Sequence, residues 1–209
     1  MVLIGYSGHG FVAYGIFHAG GIPVTGYCDA EEKSFNPYNL IYLGSERSGE
    51  TIAKLVSREF FVSIGNNSIR KNVITGLEEI GLLPANAIHP AAIQDPSSIV
   101  DPYGVMIGAG CIINPLASVE KGAICNSGSI IEHECIVGEF SHIGPGAVLC
   151  GNVKVGAGAF IGAGSVIREG ITIGEGAVIG AGAVVVKNIN DGEIVIGNPS
   201  RLLDKNRTT

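Results

Sequence analysis

Residues 161–185 read IGAGSVIREGITIGEGAVIGAGAVV, and an aliphatic side chain recurs there at every sixth position. Neither the 3.6-residue period of a helix nor the alternation of a strand gives a period of six, so the repeat indicates a solenoid. The same phase extends back along the chain. Its first positions are Ile107, Ile113, Val119, Cys125, Ile131, Val137, Ile143, Leu149, Val155, Ile161, Ile167, Ile173, Ile179 and Val185.

The six-residue spacing predicts a triangular prism in which three units make one coil. The first residue of each unit is expected to point inwards, and a small or β-branched fifth residue such as Ala117 or Ser165 suits a corner. Glycine serves the turns, where φ can be positive, and successive coils pair at about 4.8 Å. We therefore predict a parallel β-helix in which residues 18 apart share one column.

Composition limits the class of protein. The 209 residues carry a net charge of −6, which argues against a nucleic-acid or anionic-membrane surface. No apolar run reaches the roughly 18 residues of a membrane span. The chain start lacks the basic region of a signal peptide, and the five cysteines show neither metal nor disulfide spacing. We expect a soluble, reduced, cytoplasmic protein.

The first part of the chain has the pattern of a nucleotide-binding βαβ unit. An apolar strand at 2–4 is followed by the turn Gly5–Gly10, which contains Ser7, Gly8 and His9, and then by an apolar helix. The turn amides and the helix N-terminus would face a phosphate or hydroxyl group of a ligand. The alternative is a tight turn that glycine merely permits.

Two further strands, at 22–28 and 60–64, end in Asp29 and in Gly65-Asn66. An acidic residue after the second strand often holds a ribose or a base edge, and its alternative role is a surface turn. Because the carboxyl ends of parallel strands meet at one edge, we expect these residues and the first turn to line one ligand site.

Helices are expected near residues 51–58 and 68–81, the second with an apolar stripe. We place a Rossmann-like nucleotide-binding domain at 1–84, whose ligand the resemblance described below implies to be a nucleotide-sugar, and the β-helix domain at 85–209. Residues 87–106 resemble a degraded first coil. The predicted stripe is Ile69, Val73, Leu77 and Ile80, the degraded coil keeps its spacing at Ile93, Ile99 and Val105, and Pro90, Pro96 and Pro102 suit its corners.

One turn of the coil is unusually polar. His133 and Glu134 occupy the third and fourth places of their unit, where side chains point out of the prism, and Asn126 and His142 lie nearby in sequence. Gly151 lies 18 residues after His133 and so belongs to the same column. An exposed surface pair is the alternative interpretation of His133 and Glu134.

The chain resembles the nucleotide-4-amino-sugar N-acetyltransferases, with the sialic acid O-acetyltransferases as a neighbouring branch. The matching stretches are Gly5–Gly10, Ile64–Lys71 and Ile131–His142. The resemblance implies a left-handed β-helix, acetyl-CoA as co-substrate, no metal, a homotrimer, and a role in protein glycosylation or in O-antigen and lipopolysaccharide synthesis. The expected acceptor is the 4-amino group of a UDP- or dTDP-linked 4-amino-4,6-dideoxy sugar.

The resemblance also implies residue roles. His133 is the general base, Glu134 tunes it, and the Gly151 amide polarises the acetyl carbonyl. Where the family often has two adjacent acids, this chain has Asp29-Ala30. The implied substrate-binding residues are Ser7, Gly8, His9, Asp29, Gly65, Asn66 and Asn126, and the implied acetyl-CoA-binding residues are His142, Gly151, Ala163 and Ala181. Arg201, Lys205 and Arg207 would add positive charge near the CoA phosphates.

Three alternatives stay open at this level. The first is an acyl-cysteine route, for which Cys150 lies nearer the site than the inward Cys135. The second is a hydroxyl acceptor instead of an amine. The third is a zinc site like that of β-helical carbonic anhydrases, although zinc needs three protein ligands and the regular coil offers only His133 and His142.

The trimer prediction rests on the outward apolar residues Ile112, Ile124, Ile130, Ile136, Val148, Phe160, Val166 and Val178.

Overall fold

The computed structural model describes residues 1–203, and the chain begins with a small parallel sheet of order β3-β2-β1-β4. One face of the sheet packs on α1 and the other packs on α2 and α3, so its short strands are apolar on both sides. The elements are β1 Val2–Ile4, α1 Gly8–Ala19, β2 Gly26–Cys28, β3 Ile41–Tyr42, α2 Gly49–Leu55, β4 Phe60–Val62 and α3 Asn67–Glu78.

The predicted strands and helices of this front domain are confirmed, with two differences. The segment expected to be only a loop contains the edge strand β3. The predicted apolar stripe of α3 is wrong, because Ile69 and Ile80 are exposed, whereas Arg70 is fully buried beside Ile74. The helix is therefore rotated from the orientation that hydrophobicity alone suggests.

The rest of the chain forms the expected left-handed parallel β-helix, a prism with three faces. The eight-strand face holds β5 Ala87–Ile88, β8 Met106–Ile107, β11 Ile124–Cys125, β14 His142–Ile143, β17 Phe160–Ile161, β20 Val178–Ile179, β22 Ile194–Ile196 and β23 Arg201–Leu202. The six-strand face holds β6 Ile93–Gln94, β9 Ile112–Ile113, β12 Ile130–Ile131, β15 Val148–Leu149, β18 Val166–Ile167 and β21 Val184–Val185. The five-strand face holds β7 Ile99–Val100, β10 Ser118–Val119, β13 Ile136–Val137, β16 Lys154–Val155 and β19 Thr172–Ile173.

The predicted register of the coil is confirmed. From β8 to β21, strands of one face pair at a spacing of 18 residues, and only the last parallel pair, β20 with β22, is 16 apart. The first and fifth residues of the units form one continuous core. Glycine at the second place has a specific cause: a Cβ on Gly162 would lie 2.5 Å from the backbone nitrogen of Ala181 in the next coil. Positive φ angles fall instead at the fourth place, as in Gly164 at +64° and Glu134 at +60°.

The first coil is offset from the others by one residue. Ile93 pairs with Ile112 and Ile99 pairs with Ser118, a spacing of 19, because the turn before β8 contains one extra residue. The prediction that Ile93 and Ile99 keep the inward spacing is therefore wrong, and their side chains are 62% and 69% exposed. Val105 is buried as expected, and the three prolines of this coil lie in its corners.

The upper end of the coil is closed by side chains. Asn188 Oδ1 accepts a hydrogen bond from the Thr172 amide at 3.0 Å, and Asp191 Oδ1 accepts one from the Glu175 amide at 2.8 Å. On the eight-strand face, β23 turns back antiparallel to β22. These groups replace the backbone partners that another coil would supply.

The front domain covers the eight-strand face of the coil. Ala87, Met106 and Ile124 point outwards from that face and are buried in one cluster with Leu3 and Phe17. Ile124 was predicted to be exposed, and that prediction is wrong. No helix within residues 1–203 is long and apolar enough to cross a bilayer.

Candidate active site

His133 and Glu134 lie in the turn between β12 and β13, at the corner that joins the six-strand and five-strand faces. We call this the His133 corner. Glu134 takes the positive φ of the fourth place, and both side chains are 58% exposed. His133 Nδ1 lies 3.1 Å from Glu134 Oε2. In the tautomer in which Nδ1–H donates a hydrogen bond to the Glu134 carboxylate, the lone pair of His133 is on Nε2.

The His133 ring lies directly against Gly151 of the next coil. A Cβ on Gly151 would fall 2.5 Å from His133 Cε1 and 2.6 Å from Nε2, so only glycine leaves room for the ring. Within residues 1–203 the Gly151 amide donates no hydrogen bond, whereas the next amide, of Asn152, donates to the His133 carbonyl at 2.8 Å. The His133 ring and the available N–H group of Gly151 therefore lie side by side.

An open cavity of about 390 Å³ adjoins this pair, lined by His133, Gly151, Asn152, Glu169 and Gly170. It follows the corner from one coil to the next, in the direction along which a long, thin ligand would extend. The corner thus combines an imidazole, an available amide donor and an open space beside them, which is the arrangement that an acyl-transfer site requires.

The nearby thiols are poorly suited to nucleophilic attack. Cys135 is buried, donates to the Cys150 carbonyl, and has its pKa raised to about 11, mainly by burial. Burial, followed by the charges of Glu169 and Glu132, also raises the pKa of Cys150. Since the thiolate is the reactive form, these shifts do not favour an acyl-cysteine intermediate. No cluster of three metal-ligating side chains occurs among the residues described, which leaves the zinc alternative without a ligand set there.

The front-domain residues meet at one edge of the small sheet, as its parallel topology requires. Ser7 precedes α1 and its hydroxyl caps no amide of that helix, and a Cβ on Gly8 would meet nothing within 4 Å. Asp29 is more constrained. Its carboxylate accepts from the Tyr6 amide at 2.9 Å and the Ala30 amide at 2.8 Å, and it pairs with Lys33 at 2.9 Å. Asp29 therefore holds the glycine turn in place.

Asn66 has a local role in the structure. Its side-chain oxygen caps α3 by accepting from the Ile69 amide at 3.0 Å. The neighbouring Gly65 is a point of close packing, because a Cβ there would lie 2.5 Å from His9 Nδ1. Nε2 of His9 is buried and has no hydrogen-bond partner within residues 1–203. Burial, together with the charge of Arg70, lowers the pKa of His9, so this ring is neutral near pH 7.

His142 and Asn126 link the coil to this edge. The Asn126 amide nitrogen lies 3.3 Å from His142 Nε2, and His142 Nδ1 lies 3.4 Å from the Gly65 carbonyl, so both ring nitrogens are engaged. The His142 ring also packs edge-to-face against His9, with centroids 5.2 Å apart. Only 4% of His142 is exposed, and burial lowers its pKa to about 4. Within one chain, His142 therefore faces the carboxyl edge of the small sheet, and its predicted contact with acetyl-CoA stays a prediction.

The predicted site residues fall into separate groups within one chain. Ala163 and Ala181 are exposed at the corner between the eight-strand and six-strand faces, which is a different corner from that of His133. His133 in turn lies where the two uncovered faces meet, opposite the face that carries the front domain. Arg201 is exposed on β23, and Lys205 and Arg207 lie outside the described residues.

Two family models match the chain. The PglD N-terminal domain matches residues 1–77, and the bacterial transferase hexapeptide repeat matches residues 152–187. Carnitine operon protein CaiE of Shigella dysenteriae is 42% identical over 86 residues, which are 35% of this chain. The chain spans only 42% of the length of that curated relative.

Two solved structures are similar over nearly the whole chain. A histidine-to-asparagine variant of perosamine N-acetyltransferase from Caulobacter crescentus, in complex with CoA and GDP-perosamine, is 32% identical with a TM-score of 0.91, and the match covers 98% of this chain and 96% of that one. The acetyltransferase domain of PglB from Neisseria gonorrhoeae, in complex with acetyl coenzyme A, is 30% identical with a TM-score of 0.85, covering 97% and 98%. The shared fold and sequence, over almost the full length of both chains, show that this chain belongs to the hexapeptide-repeat sugar acetyltransferases.

Proposed function

We propose that this chain is an acetyl-CoA-dependent N-acetyltransferase that acts on the 4-amino group of a nucleotide-linked 4-amino-4,6-dideoxy sugar. The observation that carries the proposal is the His133 corner, where a histidine oriented by Glu134 lies against an available glycine amide. The similarity to a perosamine N-acetyltransferase supports an amine as the acceptor.

The reaction we infer is direct transfer. The sugar amine attacks the thioester carbonyl carbon of acetyl-CoA, and His133 Nε2 removes a proton from the attacking nitrogen. Glu134 holds Nδ1–H and stabilises the imidazolium that forms, as a carboxylate does in a triad. The Gly151 amide donates to the developing oxyanion. The carbon–sulfur bond then breaks, and the departing sulfur takes the proton to give CoA thiol and the N-acetylated sugar.

The ligands divide between the two parts of the chain in this proposal. The front edge holds the nucleotide-sugar, with Ser7 and Gly8 free to approach it and with the buried His9 ring behind them. Asp29 and Asn66 shape that edge through their backbone hydrogen bonds rather than by direct contact. Acetyl-CoA lies along the corners of the coil.

The proposal requires more than one copy of the chain. The front edge and the His133 corner lie on opposite sides of the prism, so an amino sugar bound to one chain meets the base of another. Side-by-side prisms would also bring the His133 corner of one copy towards the Ala163 corner of its neighbour, enclosing a groove for acetyl-CoA. In a closed ring of three copies, the His133 corner of each copy would meet the Ala163 corner of the next, so all three sites would be complete.

The six-strand face supplies a surface for this assembly. Its outward positions form one unbroken apolar column, with hydrogen-bonded neighbours from coil to coil. Its members are Ile112, Ile130, Val148, Val166 and Val184. Val166 is exposed and the other four are half-buried, and a solvent-facing apolar column of this length is typical of an interface.

The nucleotide is open to a direct experiment. The family resemblance implies UDP or dTDP, the sequence alone leaves GDP open as well, and the similar Caulobacter enzyme was crystallised with GDP-perosamine. We therefore test purified protein with acetyl-CoA, with 4-amino sugars linked to each of the three diphosphates and with sialic acid as a hydroxyl acceptor, and follow CoA thiol release together with the mass gain of one acetyl group. Transfer to at least one amine supports the proposal. Transfer only to hydroxyl sugars such as sialic acid, or none at all, refutes it.

A further inference from the structure

Arg70 is fully buried, and no acidic side chain within residues 1–203 pairs with it. Its guanidinium binds backbone carbonyls of the coil instead. Nε donates to the Gly122 carbonyl at 2.7 Å, and Nη2 donates to the carbonyls of Phe140 at 2.8 Å and Ser141 at 3.2 Å. Since Gly122 and Phe140 are 18 residues apart, one side chain grips the same corner in two successive coils.

The same guanidinium holds the turn that leads into α3. Nη1 donates to the Ile64 carbonyl at 3.0 Å and to the Gly65 carbonyl at 3.1 Å, and Nη2 donates to Asn67 Oδ1 at 2.9 Å. The side-chain Nδ2 of Asn67 in turn donates to the Gly158 carbonyl at 2.9 Å, and Gly158 is the equivalent corner position one coil further on. We call Arg70 and Asn67, with their carbonyl partners, the α3 latch.

The latch is connected to the ligand edge through Gly65. The Gly65 carbonyl that accepts from Arg70 also lies 3.4 Å from His142 Nδ1. The Cα of Gly65 packs so closely on His9 that no Cβ fits between them. A shift of the guanidinium would therefore move Gly65, and with it the two histidines that border the nucleotide-sugar edge.

Stability alone does not account for a buried, unpaired cation. Removing a charged group from water is costly, and apolar residues of similar volume often stabilise a core as well or better. What a guanidinium adds is direction, because five N–H donors in a rigid fork fix several acceptors at once. Here those acceptors belong to both the front domain and the coil.

We propose that Arg70 is a positioning residue that fixes the nucleotide-sugar edge on the coil in one orientation, so that the acceptor amine is presented to the acetyl group. This inference rests on the proposed acetyl transfer. Arg70 touches neither ligand in the proposal and acts through Gly65, His9 and His142. Its charge adds a second effect: after burial and the charge of His9, it contributes to holding the pKa of His142 at about 4.

Two substitutions distinguish the hydrogen-bond geometry of the Arg70 guanidinium from its positive charge. Arg70→Lys keeps the charge but has three donors from a single nitrogen, so it cannot hold both sides of the latch. Arg70→Met removes both properties. Arg58→Met, at an exposed position of the front domain, is the matched control. A misplacement of about 1 Å can cost roughly 10²-fold in rate, so kcat/KM for the nucleotide-sugar should fall about 10- to 100-fold in both Arg70 variants, with acetyl-CoA affinity unchanged.

Histidine titration by NMR supplies a readout that does not depend on activity. The His142 pKa should rise in Arg70→Met and stay close to wild type in Arg70→Lys, and amide exchange at residues 64–70 should speed up in both. Should Arg70→Met fail to fold, Arg70→Lys and Asn67→Ala decide the question. Folded Arg70→Lys and Asn67→Ala proteins with kcat/KM and amide exchange within twofold of wild type would overturn the positioning role.

The two proposals can fail separately. If wild-type protein transfers acetyl groups but these variants behave as wild type, the latch is wrong and the acetyltransferase proposal stands. If wild-type protein transfers none to any amino sugar, the function is wrong. The exchange and titration measurements then still show whether Arg70 fixes Gly65 and the histidines.

Discussion

Replacing Gly151 with alanine should displace the ring of His133. The new Cβ would lie 2.5 Å from His133 Cε1 and 2.6 Å from Nε2, whereas non-bonded carbon atoms settle about 3.5–4.0 Å apart. The ring must therefore move by about 1 Å or rotate away. Because a misplacement of about 1 Å can cost roughly 10²-fold in rate, we expect kcat to fall about 100-fold. The φ of Gly151 is not positive, so the backbone accepts alanine without strain.

The assay is steady-state release of CoA thiol with the best amino-sugar acceptor. The matched control is Gly15→Ala on α1, where a Cβ meets nothing within 4 Å. Gly151→Ala should unfold close to the wild-type temperature, because the His133 side chain that must move is 58% exposed and can turn into solvent. Gly15→Ala should be slightly more stable than wild type, since alanine is favoured over glycine within a helix by roughly 0.5–1 kcal/mol. A folded Gly151→Ala protein with wild-type kcat would refute the contact between Gly151 and His133 as a requirement for catalysis.

Three further predictions follow from the same structure. His133→Ala should lower kcat about 10²–10⁴-fold with little change in substrate affinity, and near-normal turnover would mean that the base lies elsewhere. Val148→Glu, on the six-strand face, should convert the proposed trimer to monomers in light scattering and abolish turnover, and an active monomer would contradict the proposed shared site. The contribution of His142 to the free energy of unfolding should be fully present above about pH 6.5, the pKa of a histidine in an unfolded chain. It should decline towards pH 4, because the unfolded chain takes up a proton on His142 that the folded protein resists. The loss is about 3 kcal/mol, measured by urea unfolding, and His142→Gln should remove it; an unchanged slope in that variant would be inconsistent with this origin.

The coil was predictable because its signal is local and repeated. Every unit from Ile107 to Val185 carries the same inward residue, so a single phase fixes strands, core and register together. The first coil escaped this logic. One extra residue between β7 and β8 reverses which side chains face inwards, as in a strand-register slip, and nothing in the spacing of Ile93, Ile99 and Val105 reveals it.

The candidate site was predictable only in part. The 18-residue spacing of the coil and the family motif both predicted that His133, Glu134 and Gly151 lie together. The structure shows these contacts. The role of the buried Arg70 was missed because its acceptors on the coil are carbonyls of residues 52 to 71 positions away, and no sequence pattern marks a carbonyl as a partner. Its signals in the sequence were its place in the matching stretch Ile64–Lys71 and on an otherwise apolar helix face.

The side chains at the upper end of the coil oppose end-to-end stacking of one molecule on another. Asn188 and Asp191 accept hydrogen bonds from the Thr172 and Glu175 amides, so these two donors of the last coil are already paired. Left unpaired, such amides would add to an open sheet edge of the kind that recruits strands in fibres. Two short polar side chains thus help to separate a particle of fixed size from a polymer.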